Sequence, residues 1–174
     1  MKEESRRCLQ MWQAECSRRE LCEAHIRRKL ALYGGGTLTK DETDEIIESL
    51  KKDKFLDDNR FAAAYIKDKT TFGGWGIRKV ETELLKKGVA KSVAAKAIDN
   101  YLKVEQGAEK QLQLLEKTAA QKWNSITAEA KRRGDSDLHS DKLKAKLIRF
   151  LVGRGYDYQS AYSQAMKVGL SKEE

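Results

Sequence analysis

Apolar residues recur along this chain at three- and four-residue intervals, the period of one face of a helix. Ser17-Arg18-Arg19-Glu20 has the form of a capping box and predicts a helix start, with Ile26-Arg27-Arg28-Lys29 at that helix's end. Thr39-Lys40-Asp41-Glu42 is a second capping box, ahead of an apolar stripe at Ile46, Ile47 and Leu50. Asp57 stands as the N-cap of the next helix, with Leu56 and Phe61 at the positions of a hydrophobic staple. After Gly73-Gly74-Trp75-Gly76, the stripe Ile77, Val80, Leu84 and Leu85 runs to Gly88-Val89, placed as a left-handed glycine and the contact of a Schellman turn. Val93, Ala94, Ala97, Ile98 and Tyr101 give another helix. A long one starts at Gly107, with Leu112, Leu115, Ala119, Trp123 and Ile126 on one side. Residues 131–137 read as a polar loop, and Ser140 as the cap of a helix carrying Leu143, Leu147, Ile148 and Leu151, which closes at Gly155-Tyr156. Ala161, Tyr162, Ala165 and Met166 mark the last helix.

The two glycine-terminated segments match at an offset of 67: Val80 with Leu147, Leu84 with Leu151, Lys87 with Arg154, Gly88 with Gly155, Ala94 with Ala161. A looser copy lies over 17–53. The chain therefore reads as all-α, three tandem three-helix repeats over 1–57, 58–105 and 106–170. Stacked units of this kind build an elongated, curved solenoid, right- or left-handed, with one extended face open to a partner.

Composition fits this picture. The 174 residues contain no proline, the residue helices tolerate least. No apolar run is long enough to span a bilayer, and Met1-Lys2-Glu3-Glu4 has no apolar core behind it as a signal peptide would. Cys8, Cys16 and Cys22, an odd number crowded at one end, suggest a reducing, cytoplasmic setting rather than a disulfide framework. The net charge is +8 and unevenly spread: residues 1–50 carry −1, 51–150 carry +9, and 151–174 are neutral. A basic middle implies an anionic partner, nucleic acid or an acidic protein face, against the alternative of a merely solvated lysine-rich surface.

Catalytic chemistry finds little support. Gly34-Gly35-Gly36 precedes Thr37 without the lysine of a phosphate-binding loop, and Gly73-Gly74-Trp75-Gly76 lacks the third glycine of a dinucleotide fingerprint. Cys22 and His25 share a helix face, but Cys16 points elsewhere and no fourth ligand follows, so a core histidine is the better reading. His139 sits alone in a polar loop, and Asp57-Asp58 read as caps. No cofactor or metal is implied. The basic stripes say more. Lys142, Lys146 and Arg149 fall within roughly 60° of arc, opposite Leu143, Leu147 and Leu151. Arg27-Arg28-Lys29, Arg78-Lys79, Lys86-Lys87, Lys131-Arg132-Arg133 and Arg154 repeat the theme. Trp75, Tyr156 and Tyr158 border them, as stacking platforms or as packing residues.

Leu56-Asp57-Asp58-Asn59-Arg60-Phe61-Ala62 resembles the L-D-D-x-R-F-A signature of the bacterial regulatory protein RecX family. Gly76 through Lys79-Val80, then Glu83-Leu84 to Lys87-Gly88, resembles its G-x-x-R-I-x-x-E-L-x-x-K-G segment. Lys142 to Arg149-Phe150-Leu151 with Arg154-Gly155-Tyr156 resembles its K-x-x-R-F-L-x-x-R-G-Y, and Ser17 with Ile26-Arg27-Arg28-Lys29-Leu30 its first-repeat helix. The resemblance covers about residues 5–168. It implies tandem three-helix repeats and a non-enzymatic, monomeric modulator of the RecA recombinase. Such a protein binds in or caps the recombinase–DNA filament and suppresses its ATPase, strand-exchange and coprotease activities. It also binds single- and double-stranded DNA weakly and without sequence preference. Three features depart from the pattern. Thr70-Thr71-Phe72 stands where members carry a basic residue before the glycines, and both the Leu32–Gly36 connection and the 131–137 loop are long. Two rivals remain on the residues: an autonomous helical DNA-binding regulator, which calls for a dimer seam, and a nuclease, which calls for clustered acids or histidines around a metal.

Overall fold

The structure is a computed structural model that describes residues 2–33, 36, 38–104, 106–138 and 140–170. Among the described residues the chain is all-α, with nine helices and no strand. These are α1 (Glu3–Arg18), α2 (Glu23–Leu32), α3 (Lys40–Lys52), α4 (Asp58–Thr71), α5 (Ile77–Lys87), α6 (Lys91–Val104), α7 (Gly107–Arg132), α8 (Asp141–Gly153) and α9 (Tyr158–Leu170). Gly34, Gly35 and Thr37 of the glycine run, and His139, lie outside the described residues.

The chain divides into two compact units. The first comprises Met1–Tyr65 and Glu83–Ile98. Its core is the meeting of α1, α2 and α3, where Cys8, Ile26, Leu30, Ile46, Ile47 and Leu50 are fully buried. The second comprises Ile66–Thr82 and Asp99–Glu174. There α7, α8 and α9 pack around Ala119, Trp123, Ile126, Leu147 and Leu151. At about 25 cal/mol per Å² of apolar surface, each fully buried Ile or Leu contributes roughly 1.5–3 kcal/mol, so both cores are of a size to hold their helices.

Local signals explain most helix boundaries. The Thr39 hydroxyl accepts from the Glu42 amide at 3.2 Å, and the Glu42 carboxylate accepts from the Thr39 amide at 2.9 Å, completing the capping box of α3. Asp57 accepts from the amides of Asn59 and Arg60 and so caps α4. Gly88 has φ +92°, and the Val89 amide reaches back to the Leu84 carbonyl at 3.1 Å, closing α5 in a Schellman turn. Gly155, at φ +91°, ends α8 the same way, with the Tyr156 amide on the Leu151 carbonyl.

Four expectations are corrected. Ser17 caps nothing: it lies in the last turn of α1, and its hydroxyl donates to the Gln13 carbonyl at 2.8 Å, a bond within the helix that removes it from capping duty. Helix α1 itself carries a narrow stripe, Ser5, Cys8 and Trp12, too short in apolar positions to stand out in the sequence. Ser140 occupies the N-cap position of α8 but caps it through its backbone carbonyl alone, with no side-chain bond. Leu112 lies off the buried face of α7 and is largely exposed, while Leu115, Ala119, Trp123 and Ile126 are buried. The polar loop also begins later than expected, because α7 continues to Arg132.

Candidate functional site

The L-D-D-x-R-F segment does its visible work inside the first unit. Asp57 caps α4, while the Asp58 carboxylate accepts from the Glu23 amide at 2.8 Å and so caps α2. Burial pushes the Asp58 carboxyl above its usual value, partly offset by that bond. Arg60 donates from Nε to Glu20 at 2.5 Å and from Nη2 to the Phe55 carbonyl. Leu56 and Phe61 are buried. The segment therefore ties the starts of two helices together, through its acids, its arginine and its apolar side chains alike.

The glycine-bearing signatures meet in the second unit. The Gly76 amide donates to the Arg154 carbonyl at 2.8 Å. A Cβ on Gly76 would lie 2.4 Å from the Gly155 carbonyl, and one on Gly155 would lie 2.5 Å from the Lys79 nitrogen. Only hydrogen fits at either position, so the two turns press backbone to backbone. Arg154 locks this junction by donating from Nη1 to the Gly73 carbonyl at 2.7 Å. The Tyr156 hydroxyl lies 3.4 Å from the Gly74 carbonyl and its ring is buried. Lys79 places its ammonium 4.4 Å from the centre of the Trp75 ring. Trp75 and Tyr156 thus pack, whereas Tyr158 is 63% exposed and stacks on Tyr162 at 6.2 Å.

The remaining basic candidates divide by what they touch. Arg27 is half-buried and bonds both Glu23 at 2.6 Å and Asp44 at 2.5 Å, which raises its pKa. Burial would raise the Glu23 carboxyl, but Lys51 and Arg27 outweigh it and the net shift is downward. Arg28 donates to the Lys87 carbonyl at 3.3 Å, covering the end of α5, and Lys29 is exposed. Lys86 pairs with Glu83 at 2.8 Å, and the Lys87 ammonium lies 5.3 Å from the Tyr65 ring centre. Arg78 is exposed. Lys131 and Arg132 are exposed at the end of α7, and Arg133 pairs with Glu129.

On α8, Leu143, Leu147 and Leu151 are buried and Lys142 and Arg149 exposed, the two-sided pattern expected. Lys146 between them is half-buried and bonds Glu129 at 2.8 Å. That bond, then the Arg133 charge, holds the Glu129 carboxyl below its usual range. Arg133, Lys142, Lys146 and Arg149 line one groove between the end of α7 and α8. The groove also holds Asp135 and Asp137, so its field is mixed. A second groove of the same unit, of about 540 Å³, collects Lys117, Lys122 and Arg154 with Phe72 and Phe150. Lys117, Lys122 and Phe72 are not among the residues the sequence singles out as a site. The lysines stand singly rather than in runs, and the only signal for Phe72 is its departure from the family pattern.

Cys16, Cys22 and His25 do not converge. Cys22 is buried with its sulfur 3.6 Å from the Lys87 carbonyl, and His25 meets Trp12 edge to face at 6.3 Å. Burial, then the charges of Lys29 and Arg28, lowers the His25 pKa. Among the described residues no group of three His, Cys, Asp or Glu side chains is arranged to hold a metal ion. Among them too, no helix is long and apolar enough to cross a membrane.

Residues 57–98 match the family model described as the second three-helix domain of RecX. The regulatory protein RecX of Clostridium perfringens (strain 13 / Type A) is 32% identical over 141 residues, covering 81% of this chain and 58% of the relative. That of Clostridium botulinum (strain Eklund 17B / Type B) is 32% identical over 136 residues, covering 78% and 56%. This chain belongs to the RecX family. It spans somewhat under three fifths of the length of these two relatives. The crystal structure of RecX from Lactobacillus salivarius shares its fold, with a TM-score of 0.74 at 18% identity over 98% of this chain and 99% of that one. The signatures that carry the RecX resemblance are thus the caps and turn junctions described above, and the family is one of regulatory proteins.

Proposed function

We propose that this chain is a non-enzymatic regulator of the RecA recombinase filament on single-stranded DNA, acting as a monomer to suppress the filament's ATPase, strand exchange and coprotease activities. The reading rests on membership of the RecX family, and the observation that supports it in the structure is the α8 face. Lys142 and Arg149 stay exposed while the leucines behind them hold α8 in the core, so cations are presented on a rigid element. Lys142 and Arg149 stand two turns apart on that face, with Lys146 between them tied to Glu129, so an anionic partner lying along α8 would meet the two outer cations. Chemistry on the DNA would need a metal or an acid–base pair, and Asp57, Asp58, Glu23 and Glu129 are engaged in caps and ion pairs.

The test is the single-stranded-DNA-dependent ATPase of the cognate recombinase, titrated with this protein at two salt concentrations. Inhibition well below one protein per recombinase monomer favours action at filament ends, and near-stoichiometric inhibition favours binding along the filament. Absence of inhibition with DNA binding retained would replace this reading with an autonomous DNA-binding regulator.

A further inference from the structure

The groove lined by Phe72, Lys117, Lys122 and Arg154 lies wholly within the second unit. Three observations set it apart. First, it contains three cations and, among its lining residues, no carboxylate, unlike the neighbouring α7–α8 groove. Second, Phe72 stands at its rim 84% exposed, the most exposed of the large apolar side chains described. Removing a phenylalanine from water is favourable by roughly 1.5–3 kcal/mol, so a bare ring beside a charged groove is a cost that an occupant would relieve. Third, the ring's base is fixed. The Phe72 amide donates to the Asp68 carbonyl in the last turn of α4, and the next residue, Gly73, is tied by Arg154.

Two of the three cations are also held in place. The Lys122 ammonium and the Arg154 guanidinium sit 4.9 and 5.1 Å from the centre of Phe150, and Arg154 bonds Gly73 as well. Phe150 is thereby occupied by the cations it orients, and Phe72 keeps its ring free. An open groove with an aromatic platform at one edge and fixed cations along its floor matches an unstacked nucleobase followed by its phosphates. Duplex DNA does not offer this, because its bases are already stacked and paired.

We infer that this groove binds single-stranded DNA, one base stacking on Phe72 and the adjoining phosphates lying over Lys117, Lys122 and Arg154. The assignment deepens the filament reading by adding a direct contact with the strand, and it gives the chain a preference for single strands over duplex. It is tested without recombinase, so it and the filament reading can fail separately. Fluorescence anisotropy of a labelled oligothymidine and of a labelled duplex is measured with the full chain and with Phe72→Ala, Phe72→Trp and Lys117→Glu/Lys122→Glu. Each variant is first checked for unchanged helical circular dichroism, which the exposure of these side chains leads one to expect. Phe72→Ala weakens oligothymidine binding between about fivefold and about a hundredfold while duplex binding stays as it was, and Phe72→Trp retains single-strand affinity. The double lysine reversal lowers the salt slope of oligothymidine binding by about 1.4, near 0.7 for each phosphate no longer neutralised. Unchanged oligothymidine affinity in folded Phe72→Ala overturns the assignment.

Discussion

Gly88 shows how little latitude one residue can have. Its φ of +92° is a left-handed conformation, and an ideal Cβ there would lie 2.5 Å from the Cβ of Ala24. Backbone strain at such a site costs about 1–3 kcal/mol, and forced contact in a packed region about as much again. Gly88→Val is therefore expected to lower stability by about 2–5 kcal/mol, read as a fall in the urea midpoint; an unchanged midpoint would mean the turn rearranges freely. Glu42 makes a different case at the same scale. Bonds from Lys2, then from Thr39, lower its carboxyl from 4.5 to about 2. A carboxyl whose folded pKa lies below its unfolded one stabilises the fold above the unfolded value, and that contribution is lost as pH falls through the folded one. Stability measured between pH ~5 and pH ~2 should thus fall less steeply in Glu42→Gln than in the parent chain. Parallel curves would show that the capping box does not depend on the charge.

Among the helices, what is legible in the sequence and what is not follows from the range of each interaction. Caps and Schellman turns at Thr39, Asp57, Gly88 and Gly155 are local, so a few residues of sequence specify them. Helix α1 is hidden because Ser5, Cys8 and Trp12 make a weak stripe whose burial depends on α3, far along the chain. The basic candidates are legible as cations but not as partners: Arg27 finds Asp44 and Lys146 finds Glu129, each 17 positions away on another helix. The same distance hides the groove around Phe72, which joins α7, the end of α8 and the turn after α4. The pairing of Lys146 sharpens what α8 should show. Lys146→Glu would set a carboxylate against Glu129 and confuse weakened partner binding with a damaged fold. Lys142→Glu/Arg149→Glu avoids this, and we expect unchanged helical circular dichroism with recombinase inhibition weakened on the order of tenfold, as for two exposed ion pairs of about 0.7 kcal/mol each. Full inhibition by that variant would take α8 out of the interface.

For the molecule as a whole, the salt dependence of binding separates the two kinds of surface it carries. The excess charge lies in residues 51–150, at +9, and much of it is committed to internal pairs or to packing on aromatic rings. The cations left on the two proposed faces are few: Lys117, Lys122 and Arg154 in one groove, Lys142 and Arg149 on α8. If all five meet phosphates of a single strand, counterion release gives a slope near −0.7 per contact, about −3.5 in all. A fourfold rise in salt then weakens binding on the order of a hundredfold. An apolar contact through the exposed Tyr158–Tyr162 pair would instead change little with salt, or tighten in kosmotropic sulfate. Titrating the protein onto a preformed recombinase–DNA filament in chloride at two concentrations, with the bare strand in parallel, distinguishes these. A steep slope on both targets places the DNA at the centre of the interaction. A steep slope on the bare strand with a flat one on the filament would mean that the recombinase surface takes over once it coats the strand, and that the grooves described here serve the free DNA alone.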